Sequence, residues 1–437
     1  MELAGKQVVV VGMGKSGIAA VQLLLEHGAK VRAVDEKAHE PVHGIAVEPQ
    51  EEKSFENAEL VVISPGVPAD LGLLQHVRAR DVSVIGELEL AAPFLRGPTI
   101  GITGTNGKTT TTALAGHFLR ESGIACQVGG NIGTAPAAMI ETSRHDQWNV
   151  LELSSFQLET IRTFRCEIAA CLNVTQNHLD RHHTFESYAN AKARILETQG
   201  AGDLAVLNAD DPVTAGFAKR TAAELAWFSG THQVEGAWME GDTIRLRGVD
   251  LLDVRSLRLR GRHNYENVMA AALIAERAGA RPAQIAHAAA TFRPVEHRLE
   301  PVREVNGVAY YNDSKATSVD ATLKAIDAFS GGLWIILGGK DKGSDYTVLR
   351  EPLRAKAHAA LLIGAAAKKI ADHLDGAVPL IQCGTLQTAV EKAHNSAQPS
   401  DTVLLAPACS SFDQFESYEH RGRVFKELVN HLAEGKA

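Results

Sequence analysis

Short apolar runs, each released into a glycine- or hydroxyl-rich turn and followed by a stretch with helical spacing, recur along the chain. Lys6–Val11 reads as a buried strand, Gly12–Gly17 as a turn and Ile18–His27 as a helix that Gly28 ends. A second strand, Lys30–Val34, delivers Asp35. Leu60–Ser64 is a strand that runs into Ser64-Pro65-Gly66-Val67-Pro68, and Val82–Ile85 is another. Strands alternating with helices predict a parallel sheet covered on both faces.

Arg96-Gly97-Pro98 interrupts this pattern, and Thr99–Thr103 opens a new strand that feeds a helix reaching Glu121. The same alternation continues through the strands Asn149–Leu153, Ile168–Val174 and Asp203–Asn208 and the helices Ser187–Glu197, Tyr265–Ala278 and Pro282–Phe292. Alternating residues from Gly241 to Leu259 predict antiparallel strands or an edge addition. Near Pro294 a third unit begins, with strands Gly307–Asn312, Leu333–Leu337, Ala359–Ile363 and Thr402–Leu405. The expected domains are therefore residues 1–94, 95–293 and 294–437, all α/β.

Length and composition agree with this division and narrow the function. A chain of 437 residues accommodates about three domains. A formal charge of -8 argues against a protein built to hold nucleic acid through its backbone. The five cysteines form no CxxC pair, as expected in a reducing compartment. No apolar stretch has the length of a membrane span, so the expectation is a cytoplasmic protein without stable membrane insertion.

Two glycine loops carry the chemistry. Gly12, Gly14 and Gly17 form GxGxxG between a strand and a helix, with Asp35 ending the next strand. That arrangement suits a dinucleotide or another diphosphate at a helix amino terminus. The second loop, Gly104-Thr105-Asn106-Gly107-Lys108-Thr109, departs from strict GxxxxGK[ST] because Ile102 occupies its first glycine position. The strand before it and the helix after it nevertheless suit a phosphate cradle, with Lys108 neutralising charge and the Thr109 hydroxyl available to magnesium. Glu152 and His178 follow strands, where a carboxylate and an imidazole can surround a hard cation. Lys192 reads as a lysine on the polar face of a helix. Arg298, Asp313, Lys315, Lys342 and Ser411, near turns and strand ends of the third unit, supply groups that an acidic substrate and a charged transition state require.

Taken together, GMGKSG, SPGVP, TGTNGKTTT, GGNIG, LELSSFQLE, NVTQNHLDRH, AKARI, GRHNYEN, EHR, NDSKAT, GGKDKGSDY and PACSSFDQF resemble the Mur ligase family in order and over essentially the whole chain. The resemblance implies a Rossmann-like amino-terminal domain, a central P-loop ATPase-like domain and a Rossmann-like carboxy-terminal domain. It is nearest to the branch that adds D-glutamate to UDP-N-acetylmuramoyl-L-alanine, with ATP, magnesium and a monomeric chain. By this likeness the first glycine loop serves the nucleotide-sugar and needs no redox cofactor. Gly14, Lys15, Ser16, Asp35, Lys37, Ser64, Pro65, Gly66, Asn131, Gln157 and His178 are then its ligand positions.

The likeness further implies that Gly104, Thr105, Asn106, Gly107, Lys108, Thr109 and Thr110 hold the ATP phosphates, with Asn264, Asn267, Arg298, Asp313 and Lys315 near the nucleotide. Thr109, Glu152 and His178 fall to magnesium. Lys192 falls to a lysine that carbon dioxide converts to a carbamate. Lys108, Asn131, Glu152, His178, Lys192 and Lys315 thus form the implied catalytic set. Thr317, Lys342, Ser411 and Tyr418 match the D-glutamate region, and the GGKDKGSD spacing keeps Lys340 open as an alternative to Lys342. The implied chemistry is phosphorylation of the substrate carboxylate, followed by attack of the amino acid's amine on the acyl phosphate. Three other readings compete: a relative adding a different amino acid, a nucleotide-binding regulatory module without ligation, and a nicotinamide enzyme. The last leaves the second phosphate loop unexplained.

Overall fold

The computed structural model describes residues 2–37, 40–259, 261–293, 296–341 and 343–433. They form two compact units, Met1–Ser256 with Glu266–Phe292, and Leu257–Tyr265 with Arg293–Ala437.

The first unit holds two sheets. One is wholly parallel, with β1 (Gln7–Val11), β2 (Lys30–Asp35), β3 (Val47–Pro49), β4 (Leu60–Ile63) and β5 (Ser83–Gly86) in the order β3-β2-β1-β4-β5. Val8 to Val11 are at most 1% exposed, as a strand covered on both faces requires. The order reverses between β1 and β4, which opens a crevice at their carboxyl ends. The helix after β1 begins at Lys15, earlier than its apolar pattern indicates, so Lys15 and Ser16 occupy its first turn at that crevice.

The second sheet comprises β6 (Thr99–Thr103), β7 (Cys126–Gly130), β8 (Trp148–Glu152), β9 (Ile168–Cys171), β10 (Leu204–Asn208), β11 (Glu224–Ser229), β12 (Gly236–Glu240), β13 (Thr243–Leu246) and β14 (Val249–Asp253). Its order is β14-β13-β12-β11-β10-β9-β6-β8-β7. The strands from β7 to β12 are parallel, and β12, β13 and β14 close the edge as an antiparallel meander. The meander ends at Asp253, short of the expected Leu259, where a turn of 3-10 helix takes over. Likewise the expected strand Ile168–Val174 stops at Cys171, because Asn173 turns its side chain onto the phosphate loop. The helix expected over Ser187–Glu197 is α-helical from Phe185 to Ala193 and tightens to 3-10 over Arg194–Leu196.

Two acidic residues of the helix Glu87–Ala91 join the parts of this unit. The Glu89 carboxylate accepts from the backbone N–H groups of Arg162, Thr163 and Phe164 and from the Thr163 hydroxyl. Glu87 is 1% exposed and accepts from Ala137 N–H at 2.6 Å, and burial pushes its carboxyl up to about 7. An acid whose folded pKa is raised keeps more protons than the unfolded chain, so stability falls as pH rises from the unfolded value towards about 7. Between about pH 5 and pH 8 the protein should lose roughly 2–3 kcal/mol relative to a Glu87→Gln variant. Parallel pH-dependent slopes in urea melts of the two proteins would contradict this.

The second unit contains β15 (Glu300–Val305), β16 (Val308–Asn312), β17 (Leu333–Gly338), β18 (Ala357–Ile363), β19 (Leu380–Gly384) and β20 (Thr402–Leu405), ordered β15-β16-β20-β17-β18-β19. Only β15 runs antiparallel to its neighbour. The helix Tyr418–Asn430 packs on this sheet through Phe425 and Val429.

Candidate active site

In the first unit, the crevice beside β1 and β4 is a cleft of about 960 Å³. Gly14, Lys15, Ser16 and Asp35 line one side, and Ser64, Pro65 and Gly66 line the other. Asn131 and Gln157 reach the same cleft from the strand β7 and β8 side. Lys37 and His178 are not among the lining residues; Lys37 is exposed, and its N–H donates to Asp35 Oδ1 at 2.8 Å.

The three glycines of the first loop have separate tasks. Gly12 has φ of 89°, a conformation that costs any residue with a Cβ. A Cβ on Gly17 would stand 1.8 Å from the Gly12 carbonyl oxygen and 2.7 Å from Ser64 Oγ, so its absence lets the helix lie on β1. A Cβ on Gly14 would meet nothing within 4 Å, so that position faces open space. Asp35 Oδ2 accepts from Met13 N–H at 2.6 Å, and the Ser64 hydroxyl donates to Gly12 O at 2.6 Å, which braces the loop from both neighbouring strands. Gly17→Ala should therefore lower Tm by several degrees, as measured by thermal melts.

The second loop leaves β6 and enters the helix Lys108–Glu121. Gly107 has φ of 84°, and a Cβ there would lie 2.3 Å from Asn267 Oδ1. The same Asn267 oxygen accepts from the Thr111 hydroxyl at 3.2 Å. Asn173, in the segment after β9, grips the loop: its Oδ1 accepts from Asn106 N–H at 2.9 Å, and its Nδ2 donates to Asn106 O at 3.1 Å. Thr105 is held by Thr175 and by the Tyr188 hydroxyl, which donates to Thr105 Oγ1 at 3.1 Å. Thr109 and Thr110 are buried in the first helical turn.

Lys108 Nζ donates to the carbonyls of Gly104 and Thr105, each at 2.9 Å. Lys192 is 1% exposed, and its Nζ donates to the same Gly104 carbonyl at 2.7 Å while lying 4.7 Å from the Tyr188 ring centre. Burial, reinforced by the Lys108 charge, holds the Lys192 pKa well below the usual lysine range. Lys192 thus emerges from the polar-face reading as a buried amine beside a phosphate loop. Glu152 is 2% exposed; its Oε1 accepts from Asn131 Nδ2 at 2.9 Å, and its Oε2 has no hydrogen-bond partner among the described residues. Ile102 of β6 pairs in register with Glu152 of β8, which fixes this carboxylate beside the strand that feeds the loop. His178 is exposed with φ of 53°, and its ring meets Phe156 edge-on at 5.0 Å.

The second unit gathers most of the remaining positions. Asp313 is 8% exposed, accepts from Leu299 N–H at 3.2 Å, and is pushed up to about 7 by burial, partly offset by the Arg298 charge. Lys315 Nζ lies 5.1 Å from the Tyr418 ring centre. Thr317 N–H donates to Lys315 O, and Ala408 N–H donates to Ala316 O, bringing this turn beside the segment that carries buried Ser411. Asn264 is buried at the start of the helix Arg262–Arg277 and belongs to this unit, whereas Asn267 belongs to the first. Lys340 is exposed and bridges to Ser410 through backbone hydrogen bonding. Lys342 lies outside the described residues.

Sequence reasoning missed Asn173, Tyr188 and Arg421. Arg421 is fully buried, and its guanidinium donates to the Ser314 hydroxyl, the Ser314 carbonyl and the Cys409 carbonyl, tying together the two segments that carry Lys315 and Ser411. Only the fourfold spacing of Tyr188 and Lys192 on one helix offered a signal for any of the three.

Comparison with known proteins finds family matches in three successive parts of the chain. The Mur ligase MurD-like N-terminal domain matches residues 6–86, the Mur ligase middle domain residues 102–275, and the Mur ligase glutamate ligase domain residues 297–409. The UDP-N-acetylmuramoylalanine--D-glutamate ligase of Solibacter usitatus is 60% identical over 438 residues, covering 99% of both chains. This chain belongs to the Mur ligase family.

The like-named enzyme of Koribacter versatilis is 50% identical over 450 residues, again covering 99% of each chain. Among solved structures, the Mur ligase fold of the UDP-N-acetylmuramate-alanine ligase from Thermotoga maritima matches with a TM-score of 0.62 at 18% identity, covering 97% of this chain and 99% of that one. A pseudomurein peptide ligase type C from Methanothermus fervidus matches with a TM-score of 0.60 at 18% identity, covering 98% and 99%. These two share the three-domain α/β fold with this chain. No helix of the described residues is long and apolar enough to cross a membrane.

Proposed function

We propose that the nucleotide-sugar cleft and the phosphate loop of this Mur ligase serve one reaction, with Glu152 as the junction between them. The chain is an ATP-dependent ligase that joins D-glutamate to UDP-N-acetylmuramoyl-L-alanine in peptidoglycan precursor synthesis. The observation that carries the assignment is the Asn131–Glu152 hydrogen bond at 2.9 Å: Asn131 lines the cleft, and Glu152 stands in register with the strand that feeds the ATP loop.

Activation comes first, because a free carboxylate is too poor an electrophile for amide formation. An oxygen of the substrate carboxylate attacks the terminal phosphorus of ATP, and ADP departs. The loop amides and Lys108 hold the phosphates and offset their charge, and the family resemblance gives Lys315 a role towards the same nucleotide. The free amine of D-glutamate then attacks the acyl carbon, and the tetrahedral adduct expels inorganic phosphate as the amine loses its proton. Thr317, Ser411, Tyr418 and Lys342 or Lys340 receive the glutamate, while Asn264, Asn267, Arg298 and Asp313 hold the adenine nucleotide. Gly14, Lys15, Ser16, Asp35, Ser64, Pro65, Gly66 and Gln157, which line the cleft, serve the nucleotide-sugar, and Lys37 and His178, outside its lining, are assigned to it by the family resemblance alone.

The donor set suits magnesium. Glu152 has a buried carboxylate oxygen that no described residue satisfies, and carboxylate, hydroxyl and imidazole groups of Glu152, Thr109 and His178 are ligands such an ion accepts. Bound there, it would neutralise charge on the transferring phosphoryl group. Lys192 is suited to carbamylation for a separate reason. Its lowered pKa favours the free amine, whose lone pair attacks carbon dioxide and which then releases a proton to leave an anionic carbamate. That conversion places a negative charge beside the Lys108 cation.

The test follows ADP and nucleotide-linked product together, with UDP-N-acetylmuramoyl-L-alanine, ATP, magnesium and, in separate reactions, D-glutamate, L-glutamate, L-alanine or a diamino acid. Product with D-glutamate alone is expected. ATP binding without ligation of any of them would overturn the reading in favour of a nucleotide-controlled binding role.

A further inference from the structure

One wall of the nucleotide-sugar cleft, the turn Ser64-Pro65-Gly66, is tied to its own sheet through Ser64 and Gly12 and is held a second time from outside that sheet. Arg181, on the short helix Leu179–His182 of the central sheet's domain, reaches across to that turn. Its Nη2 donates to Val67 O at 2.8 Å and to Glu159 Oε2 at 2.9 Å, and its Nη1 lies 3.5 Å from Gly66 O. The guanidinium also lies 4.9 Å from the Phe156 ring centre. Its side chain is only 12% exposed, so this is a fixed contact rather than a surface ion pair.

The same few residues connect the turn to the rest of the site. Phe156 touches the His178 ring, and its chain neighbour Gln157 lines the cleft. Glu159 is held on its other side by His182 Nδ1 at 3.2 Å, and His182 Nε2 contacts Ser155 Oγ at 3.0 Å. A second link, His183 Nε2 to Asp70 Oδ2 at 3.0 Å, is exposed and correspondingly weak.

We infer that Arg181 is a positioning residue for the nucleotide-sugar substrate: by clasping the Gly66 and Val67 carbonyls it sets the distance between the Ser64–Gly66 wall and the wall carrying Asn131 and Gln157. The guanidinium fork matters as well as the charge, because a lysine ammonium has no planar fork with which to serve both the carbonyls and Glu159. This deepens the ligase reading and rests on its assignment of the cleft to the nucleotide-sugar.

The experiment compares wild type, Arg181→Ala, Arg181→Lys and Glu159→Gln. Steady-state kinetics are measured for all three substrates, with calorimetric titration of UDP-N-acetylmuramoyl-L-alanine in the absence of ATP. Arg181→Ala should raise KM and Kd for the nucleotide-sugar at least about tenfold while KM for ATP and kcat at saturation change less than about threefold. Arg181→Lys should fall between Ala and wild type, and Glu159→Gln should have the smallest effect. A purely structural role would instead lower Tm and the active fraction with KM unchanged, and that result overturns the inference. Should Arg181→Ala not fold, unchanged KM and Kd in Arg181→Lys overturn it equally. Absence of ligation by wild type would count against the ligase reading, whereas calorimetric binding would still test Arg181.

Discussion

Replacing Lys192 with alanine should lower kcat by at least about a thousandfold while leaving the protein folded, because the change removes the buried amine proposed to become a carbamate at the ATP loop. The apo protein loses little in the exchange. It gives up a 2.7 Å hydrogen bond to Gly104 O but also removes a buried amine whose charged form burial and Lys108 disfavour. Two readouts separate carbamylation from simple charge. Carbon-13-labelled bicarbonate should give a carbamate resonance in wild type that disappears in Lys192→Ala, and wild-type activity should fall when dissolved carbon dioxide is stripped and return when bicarbonate is restored. Activity of the alanine variant within tenfold of wild type would remove Lys192 from the reaction.

Glu152→Gln makes the opposite trade visible. A buried carboxylate with one unsatisfied oxygen costs folding energy, so the neutral amide should match or raise Tm. It keeps an oxygen for Asn131 Nδ2 but loses the negative charge that suits magnesium. The expected result is a loss of kcat of about a hundredfold or more, together with a higher magnesium requirement and unaltered binding of the nucleotide-sugar. A drop in Tm with preserved kcat would assign Glu152 to the fold instead. The two variants share a theme: groups that burden the empty protein are those assigned to the chemistry.

What the sequence made legible followed from how locally each feature is encoded. The bounds of β6 and the end of the helix near Glu121 could be read from the chain, since strand, glycine turn and helix signals are adjacent. β7 escaped because Cys126-Gln127-Val128-Gly129-Gly130 has little apolar patterning; its glycines are required by close packing, with a Cβ on Gly130 only 2.3 Å from Glu152 O. Nine of the eleven residues assigned to the nucleotide-sugar line one cleft, because they end neighbouring parallel strands or begin the helices and loops that follow them. Asn173, Tyr188 and Arg421 act on partners far away in the chain, such as Asn106, Thr105 and Ser314. No local pattern announces such contacts. The burial of Lys192 was hidden for the same reason, since its helix is weakly amphipathic and its neighbours come from β6 and its loop.

The antiparallel meander at the edge of the central sheet has a practical consequence. Arg245 on β13 pairs with Glu240 and with Asp250, so the outermost hairpin carries charge where an open strand would invite another chain. Its turns at Gly241 and Gly248 bend with positive φ, and β14 lies six strands from β6 in the sheet, roughly 29 Å at ordinary strand spacing. A fluorophore or surface tether placed at either turn would therefore allow single-molecule observation of turnover with the reporter well away from the phosphate loop.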